Sequence, residues 1–300
     1  MNTHFGDRIW AMKILTTLAI VGAIATAQGL NGVIDIHAHS DPDGMARSID
    51  ALSLGKLAKE AGMRGLVLKN HYESTAGLAY LVRKEAPELE VFGGIALNLP
   101  VGGVNLSAVE WMTKVKGGWG RVVWMPTYDS QHHVASQREN RAFVAISKDG
   151  KLLPDVVKVI GAIAEHKLVL ATGHSSPEEV LMLIREAKRV GVEHIVVTHA
   201  TGRFVGMNTE QMKEAARLGA MLEFVWERPG SSGVAAAVKA IREVGVASCI
   251  LSSDLGQAAN PLHTVGLAAF FEDLKKQGLT QVEIDRMAKV NPAALLGLAR

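Results

Sequence analysis

Beyond about residue 30 the chain alternates two hydrophobic rhythms. Short runs rich in β-branched residues occupy 33–37, 65–69, 90–97, 121–125, 168–172, 195–199, 221–225 and 248–252. Between and after them lie longer stretches with apolar residues at helical spacing, at 49–61, 75–85, 107–115, 155–166, 177–190, 209–218, 234–244 and 262–276. Strands alternating with helices in this way predict βαβ units and a parallel sheet. Eight of each, in the roughly 270 residues after the first 27, suit a (β/α)8 barrel, whose usual length is ~250. A doubly wound open sheet would instead carry a glycine-rich phosphate turn after its first strand. Here that turn reads His37-Ala38-His39-Ser40-Asp41-Pro42. The pattern therefore predicts an α/β chain with a single TIM-type (β/α)8 domain over 28–300. One connection, 128–154 after the fourth strand, has the length of a lid or binding loop.

The first 27 residues break the rhythm. Lys13 leads into an apolar run at 14–24 that ends in Ala25-Thr26-Ala27, a secretory signal pattern with cleavage expected after Ala27. The run is short for a membrane span. The expectation is export, periplasmic or secreted, with no stable membrane span after cleavage. The alternatives are a cytoplasmic chain, an uncleaved anchor and a helix that caps the barrel.

Composition narrows the chemistry. The net charge is +2 with histidine neutral, and no dense Lys/Arg run with interleaved aromatics occurs, which argues against a nucleic-acid partner. The one cysteine, Cys249, sits in an apolar run and reads as core; alone it excludes an intrachain disulfide and a thiolate zinc cluster. A metal site would have to use His, carboxylate and Lys.

In an α/β barrel the active site gathers at the C-terminal ends of the strands. His37 and His39 close the first predicted strand, and His71 lies just past the second. His132 and His133 lie in the long connection, His174 follows the fifth strand and His199 ends the sixth. Seven of the 11 histidines thus fall on that rim, while His4, His166, His194 and His263 fall in the leader, before strands or at a helix start. In an extended segment, residues i and i+2 point the same way, so His37 and His39 can share one cation. Asp254, after the last strand, adds a carboxylate; its other reading is an N-cap for the following helix.

This order (His-x-His after strand one, His after strands five and six, Asp after strand eight) resembles the amidohydrolase superfamily, as does the ending Asn291-Pro292-Ala293-Ala294-Leu295-Leu296-Gly297-Leu298. Asp35-x-His37-x-His39, Leu68-Lys69-Asn70-His71 and Trp124-Met125-Pro126-Thr127 resemble, more narrowly, an uncharacterised amidohydrolase-like family. The resemblance implies His37, His39, His174 and Asp254 as ligands of a divalent metal, with zinc expected and manganese or iron as alternatives. It further implies Asp254 as general base, and His199 as a ligand of a second metal or a group that polarises the substrate. The reaction so implied is hydrolysis of an amide, ester, lactone or similar bond of a small molecule. Non-oxidative decarboxylation of a small carboxylic acid is the alternative, and a non-catalytic metal- or ligand-binding barrel a third reading.

The sequence departs from the superfamily at one point. Binuclear members carry a carboxylated lysine after strand four, where this chain has Trp124-Met125-Pro126-Thr127. The lysine at a comparable rim position is Lys69, after strand two. It reads as an ammonium for an anionic substrate group, as a carboxylated bridging ligand, or as a structural lysine paired with an acid such as Glu73; one or two metals stay open accordingly. His71, His133, Arg47 and Trp124 are candidate substrate contacts, with Tyr128 and Trp226 as further pocket walls. Glu223, flanked by Leu222 and Phe224, is a candidate acid behind the ligands. A homo-oligomer is compatible with all of this.

Overall fold

A computed structural model describes residues 29–228 and 230–299; the leader expected at 1–27 lies outside the described residues. Eight strands form one sheet in sequence order: β1 (Ile34–Ala38), β2 (Gly65–Leu68), β3 (Glu90–Ala96), β4 (Gly120–Trp124), β5 (Val169–Ala171), β6 (His194–Val197), β7 (Met221–Val225) and β8 (Cys249–Ser252). Every neighbouring pair is parallel. The ring closes between β1 and the end of β8, where Ala38 bridges Leu255, His39 N donates to Leu255 O and Asp254 N donates to His37 O (both 2.9 Å). The expected (β/α)8 barrel is the observed fold.

Each strand is followed by its helix: α1 (Ala51–Glu60), α2 (Ala76–Glu85), α3 (Leu106–Thr113), α4 (Pro154–Glu165), α5 (Pro177–Val190), α6 (Thr209–Arg217), α7 (Ser232–Val244) and α8 (His263–Lys276). The long connection after β4 is not bare loop. It holds a short helix, Gln131–Ser136, and a small hairpin of Ser147–Lys148 with Lys151–Leu152. No helix among the described residues is long and apolar enough to cross a membrane.

Period-two alternation sorts the strand residues. Val67, Val122, Trp124, Val169, Ala171, Val196 and Ile250 fill the barrel. Their neighbours Leu66, Leu68, Val123, Leu170, Ile195, Val197, Leu222 and Phe224 pack outward against the helices. β1 breaks the alternation. Asp35 is opposite Leu66 but Ala38 is opposite Leu68, so β1 carries one extra residue, a bulge. In consequence Ile36 joins the interior cluster while the next ring, His37, sits 6.3 Å from Trp124 on that same inner side. Asp35 holds the kink, its Oδ1 accepting from His37 N (3.1 Å) and Ser253 N (2.9 Å).

Candidate active site

The side chains at the C-terminal mouth converge on one carboxylate. Asp254 Oδ1 lies 3.0 Å from His37 Nε2 and 3.0 Å from His39 Nε2, and Oδ2 lies 3.3 Å from His199 Nε2. His37, His199 and Asp254 each offer a ligand atom within 4.8 Å of the others. His199 and Asp254 both adopt left-handed backbone, with φ of 48° and 49°. Non-glycine residues use that region sparingly, and it persists where surrounding structure enforces it. Here the chain turns sharply at the two residues that carry the converging atoms. Close backbone contact supports the turn: a Cβ on Gly256, at φ 122°, would lie 2.2 Å from His39 O. The loops after β1 and β8 are pressed together at that point.

A second layer orients the first. Glu223 points into the barrel, where its carboxylate accepts from His37 Nδ1 (3.1 Å) and from Ser252 Oγ (2.6 Å). Ser253 Oγ donates to His37 O (3.1 Å). Lys69 is 1% exposed, with Nζ 2.8 Å from His37 Nε2 and 5.8 Å above the Trp124 ring. Glu73 is not its partner: that carboxylate accepts from Asn70 Nδ2 (3.1 Å). His174 stands one step out, its Nδ1 3.2 Å from His133 Nδ1 and its ring 5.3 Å from that of His199. It is placed by Gly173, whose φ of 62° and lack of a Cβ let the chain pass against Met125 O, and by His174 N donating to Pro126 O (3.0 Å). α5 then starts at once, its N-cap Ser176 in a reciprocal capping box with Glu179.

Burial sets the charge states. It holds His39, His71 and His174 well below the ordinary histidine range and His199 down to about 4, so these imidazoles are neutral at neutral pH. Burial and Lys69 would lower His37 too, but Asp254 and Glu223, one on each nitrogen, raise it to about 9. Burial likewise brings Lys69 down to about 8 against the attraction of Asp254 and Glu223. For the two acids burial is outweighed: the adjacent histidines hold Asp254 well below the usual carboxylate range and Glu223 down to about 2. The set fits a divalent cation. It combines an ionised carboxylate with the neutral imidazoles of His39, His174 and His199, and the Nε2 atoms of His174 and His199 are buried without a hydrogen-bond partner.

The remaining sequence candidates divide. His71 is in the site, stacked on His39 (centroids 4.9 Å, 28°) with Nδ1 2.9 Å from Thr127 Oγ1. His133 is there too, buried beside His174, while His132 is half-buried on the outer side of the loop. Trp124 is 3% exposed and belongs to the barrel filling under Lys69 and His37, so it forms floor and not wall. Arg47 is buried and paired with Asp43, its Nε donating to Oδ2 (2.6 Å), which leaves little charge free for a substrate. Trp226 packs against the outer core. Asp254 is not a helix cap: α8 begins at His263 with Leu262 as its N-cap.

Several residues at the site carry no advance signal in the sequence. Asp35 stands in the His-x-His motif, but its role as bulge holder depends on Ser253, 218 positions away. Phe204, after β6, lies face to face with His174 (4.9 Å, 14°), and no periodicity marks it. His263, at the start of α8, is fully buried and held down to about 4 by burial, against the backbone carbonyls of Leu255 and His39. Asn98 ties the loops after β3 and β4 to the mouth, donating from Nδ2 to His71 O and Thr127 Oγ1 (both 2.7 Å).

No curated protein matches this sequence. Among solved structures the fold is similar to that of an amidohydrolase from Pseudomonas aeruginosa, with a TM-score of 0.61 and 12% identity over 91% of this chain and 97% of that one. It is similar to an amidohydrolase from Burkholderia multivorans with bound zinc (TM-score 0.59, 13% identity, 89% and 99% covered). A further similar fold is 2,6-dihydroxybenzoate decarboxylase (TM-score 0.54, 10% identity, 89% and 100% covered). At these identities the likeness is one of fold, and the fold is the one amidohydrolases use. A family model matches residues 32–223, from just before β1 to the middle of β7, and the chain therefore belongs to that family, the Family of unknown function (DUF6282).

Proposed function

We propose that the chain is a metal-dependent hydrolase that uses a water activated by a divalent ion, zinc in first place, on an amide, ester, lactone or similar bond of a small molecule. The observation that carries this reading is the convergence of His37, His39 and His199 on Asp254 at the barrel mouth. A divalent ion bound there supplies Lewis acidity and lowers the pKa of the water it holds. His37, His39, His174 and Asp254 would hold the ion, and a set dominated by imidazoles favours zinc over manganese or iron. Glu223 accepts a hydrogen bond from His37 Nδ1 and so aims Nε2 at the mouth, where a bound ion would take the place of the Nε2 proton. Asp254 would act as the base, since its carboxylate stays ionised among the converging imidazoles. His199 would join the ligands or, with the Lys69 ammonium, polarise the scissile carbonyl.

The primary test is metal content and turnover. Protein from metal-replete medium should carry one or two zinc-class ions per chain, lose them to a chelator together with hydrolysis of carboxyester or lactone probes, and regain both on adding metal. Protein that holds no metal and gains no thermal stability from it would sink the reading. Lys69 favours decarboxylation as a second reading, since its buried ammonium over Trp124 has the right charge for a carboxylate. Oxygen-18 entering the product from water supports hydrolysis, and carbon dioxide release supports the alternative.

A further inference from the structure

Above the converging residues lies a pocket of about 500 Å³, the volume of a small molecule. Three rings wall it: Tyr72, Tyr128 and Phe204. Two of them rest directly on the site. Tyr128 lies 4.3 Å from the His71 ring and edge-on to His174 at 5.6 Å, and Phe204 stacks on His174 and reaches to 6.3 Å from His199. Tyr128 and Phe204 meet edge-on (6.4 Å, 78°) and form one wall between the pocket and those histidines, and His133 lines the pocket beside them. The loop that presents Phe204 is closed on itself, with Gly202 N donating to His199 O (2.7 Å) and Met207 N to Ala200 O (3.1 Å). Phe204 is thus held over the mouth by the same turn that sets His199.

Two arginines line this pocket, and their partners distinguish them. Arg141 is fully engaged, with Nη1 on Asp129 (2.5 Å), Nε on Glu139 and Nη2 on Tyr128 O (both 2.6 Å). Arg203 is exposed, sits 4.5 Å over the Phe204 ring, and has no carboxylate within ion-pair distance among the described residues. Its guanidinium lies over the aromatic wall with no carboxylate to hold it among the described residues. Planar walls suit a flat body, and an unengaged arginine suits carboxylate or phosphate oxygens.

Resting on the hydrolase reading for the inner site, we infer that the substrate is a flat, aromatic or similarly planar small molecule with an anionic group at the end far from the scissile bond, and that Arg203 recognises the anion. Phe204 and Tyr128, with Tyr72, form the wall against which the planar body packs. Specificity then lies in the loops after β4 and β6, while the reacting end is held by the histidines.

The test is binding of defined probes to the full chain, as purified and after chelator treatment: 2-naphthoate, its neutral counterpart 2-naphthamide, and hexanoate as a non-planar carboxylate. The naphthoate should bind most tightly in both states. Arg203→Met should weaken it by about three- to tenfold, as expected for one charge-assisted contact at a partly exposed site, and leave the amide unchanged. Phe204→Ala should weaken both naphthyl probes and spare hexanoate. If naphthoate binding vanishes with the metal and ignores Arg203→Met, the carboxylate is a metal ligand and the inference is wrong. Equal binding of acid and amide, or of naphthoate and hexanoate, would also overturn it. If the chain proves to bind no metal yet keeps the Arg203-dependent preference, the pocket assignment stands and the hydrolase reading falls.

Discussion

Asp254 gathers three imidazole nitrogens from two strand ends, those of His37 and His39 at β1 and of His199 after β6. Replacing it by Asn keeps the shape but removes both the anionic ligand and the base. Asp254→Asn should abolish turnover under saturating metal, and near-normal turnover would place the base elsewhere. Glu223 acts at one remove, through the Nδ1 of His37. Glu223→Gln should leave the barrel folded and lower metal affinity by about 10- to 100-fold, the usual effect of losing a carboxylate behind a ligating histidine. Metal titration followed by competition with a chelator measures this directly.

The bulge in β1 explains why the His-x-His spacing works in this chain. Ile34 and Ile36 fill the barrel interior, and strict alternation from them would send His37 and His39 outward, toward the helices. The extra residue between Asp35 and Ala38 reverses the parity and swings both rings into the mouth. Asp35 stabilises that reversal by accepting from two buried N–H groups. Asp35→Ala should destabilise the fold by about 1–3 kcal/mol, the range for leaving such donors unsatisfied, and weaken metal binding more than it lowers the thermal midpoint suggests. Asp35→Asn keeps an acceptor oxygen and should restore most of the affinity. Equal losses in the two variants would mean that the carboxylate's charge matters and the bulge does not.

The barrel as a whole concentrates buried ionisable groups at one end, and its stability should report that. Burial holds His199 and His263 down to about 4, whereas in the unfolded chain they take up protons at the ordinary value near 6.5. Their contribution is present above about pH 6.5 and is lost as pH falls toward 4. Asp35, raised to about 6 by burial, works in the opposite sense between 6 and its ordinary value near 4, and so offsets one of the two. The well-lowered His39, His71 and His174 add to the loss. Metal-free protein should therefore have a clearly lower thermal midpoint at pH 5 than at pH 7, and bound metal should raise the midpoint at pH 7. A midpoint that holds or rises on acidification would contradict the charge states described.

Much of this was readable along the chain because it depends on local order. Hydrophobic period specifies strand or helix wherever the segment is long enough, so all eight strands and their helices stand within a few residues of where the pattern predicts them. Strand ends, once located, place the histidines at the mouth. What the chain alone could not decide is everything set by pairs distant in sequence. The bulge is invisible until β1 meets β2. Of the three readings of Lys69, the pairing with Glu73 is set aside only when the barrel brings its Nζ to His37. Phe204 and Arg203 gain a role only once the loop after β6 lies over the mouth. Sequence determined which residues could bind a metal, because ligand chemistry belongs to each side chain. Tertiary structure decided which way they face and what else they meet, because orientation is a property of strand register and burial, and both exist only in the closed barrel.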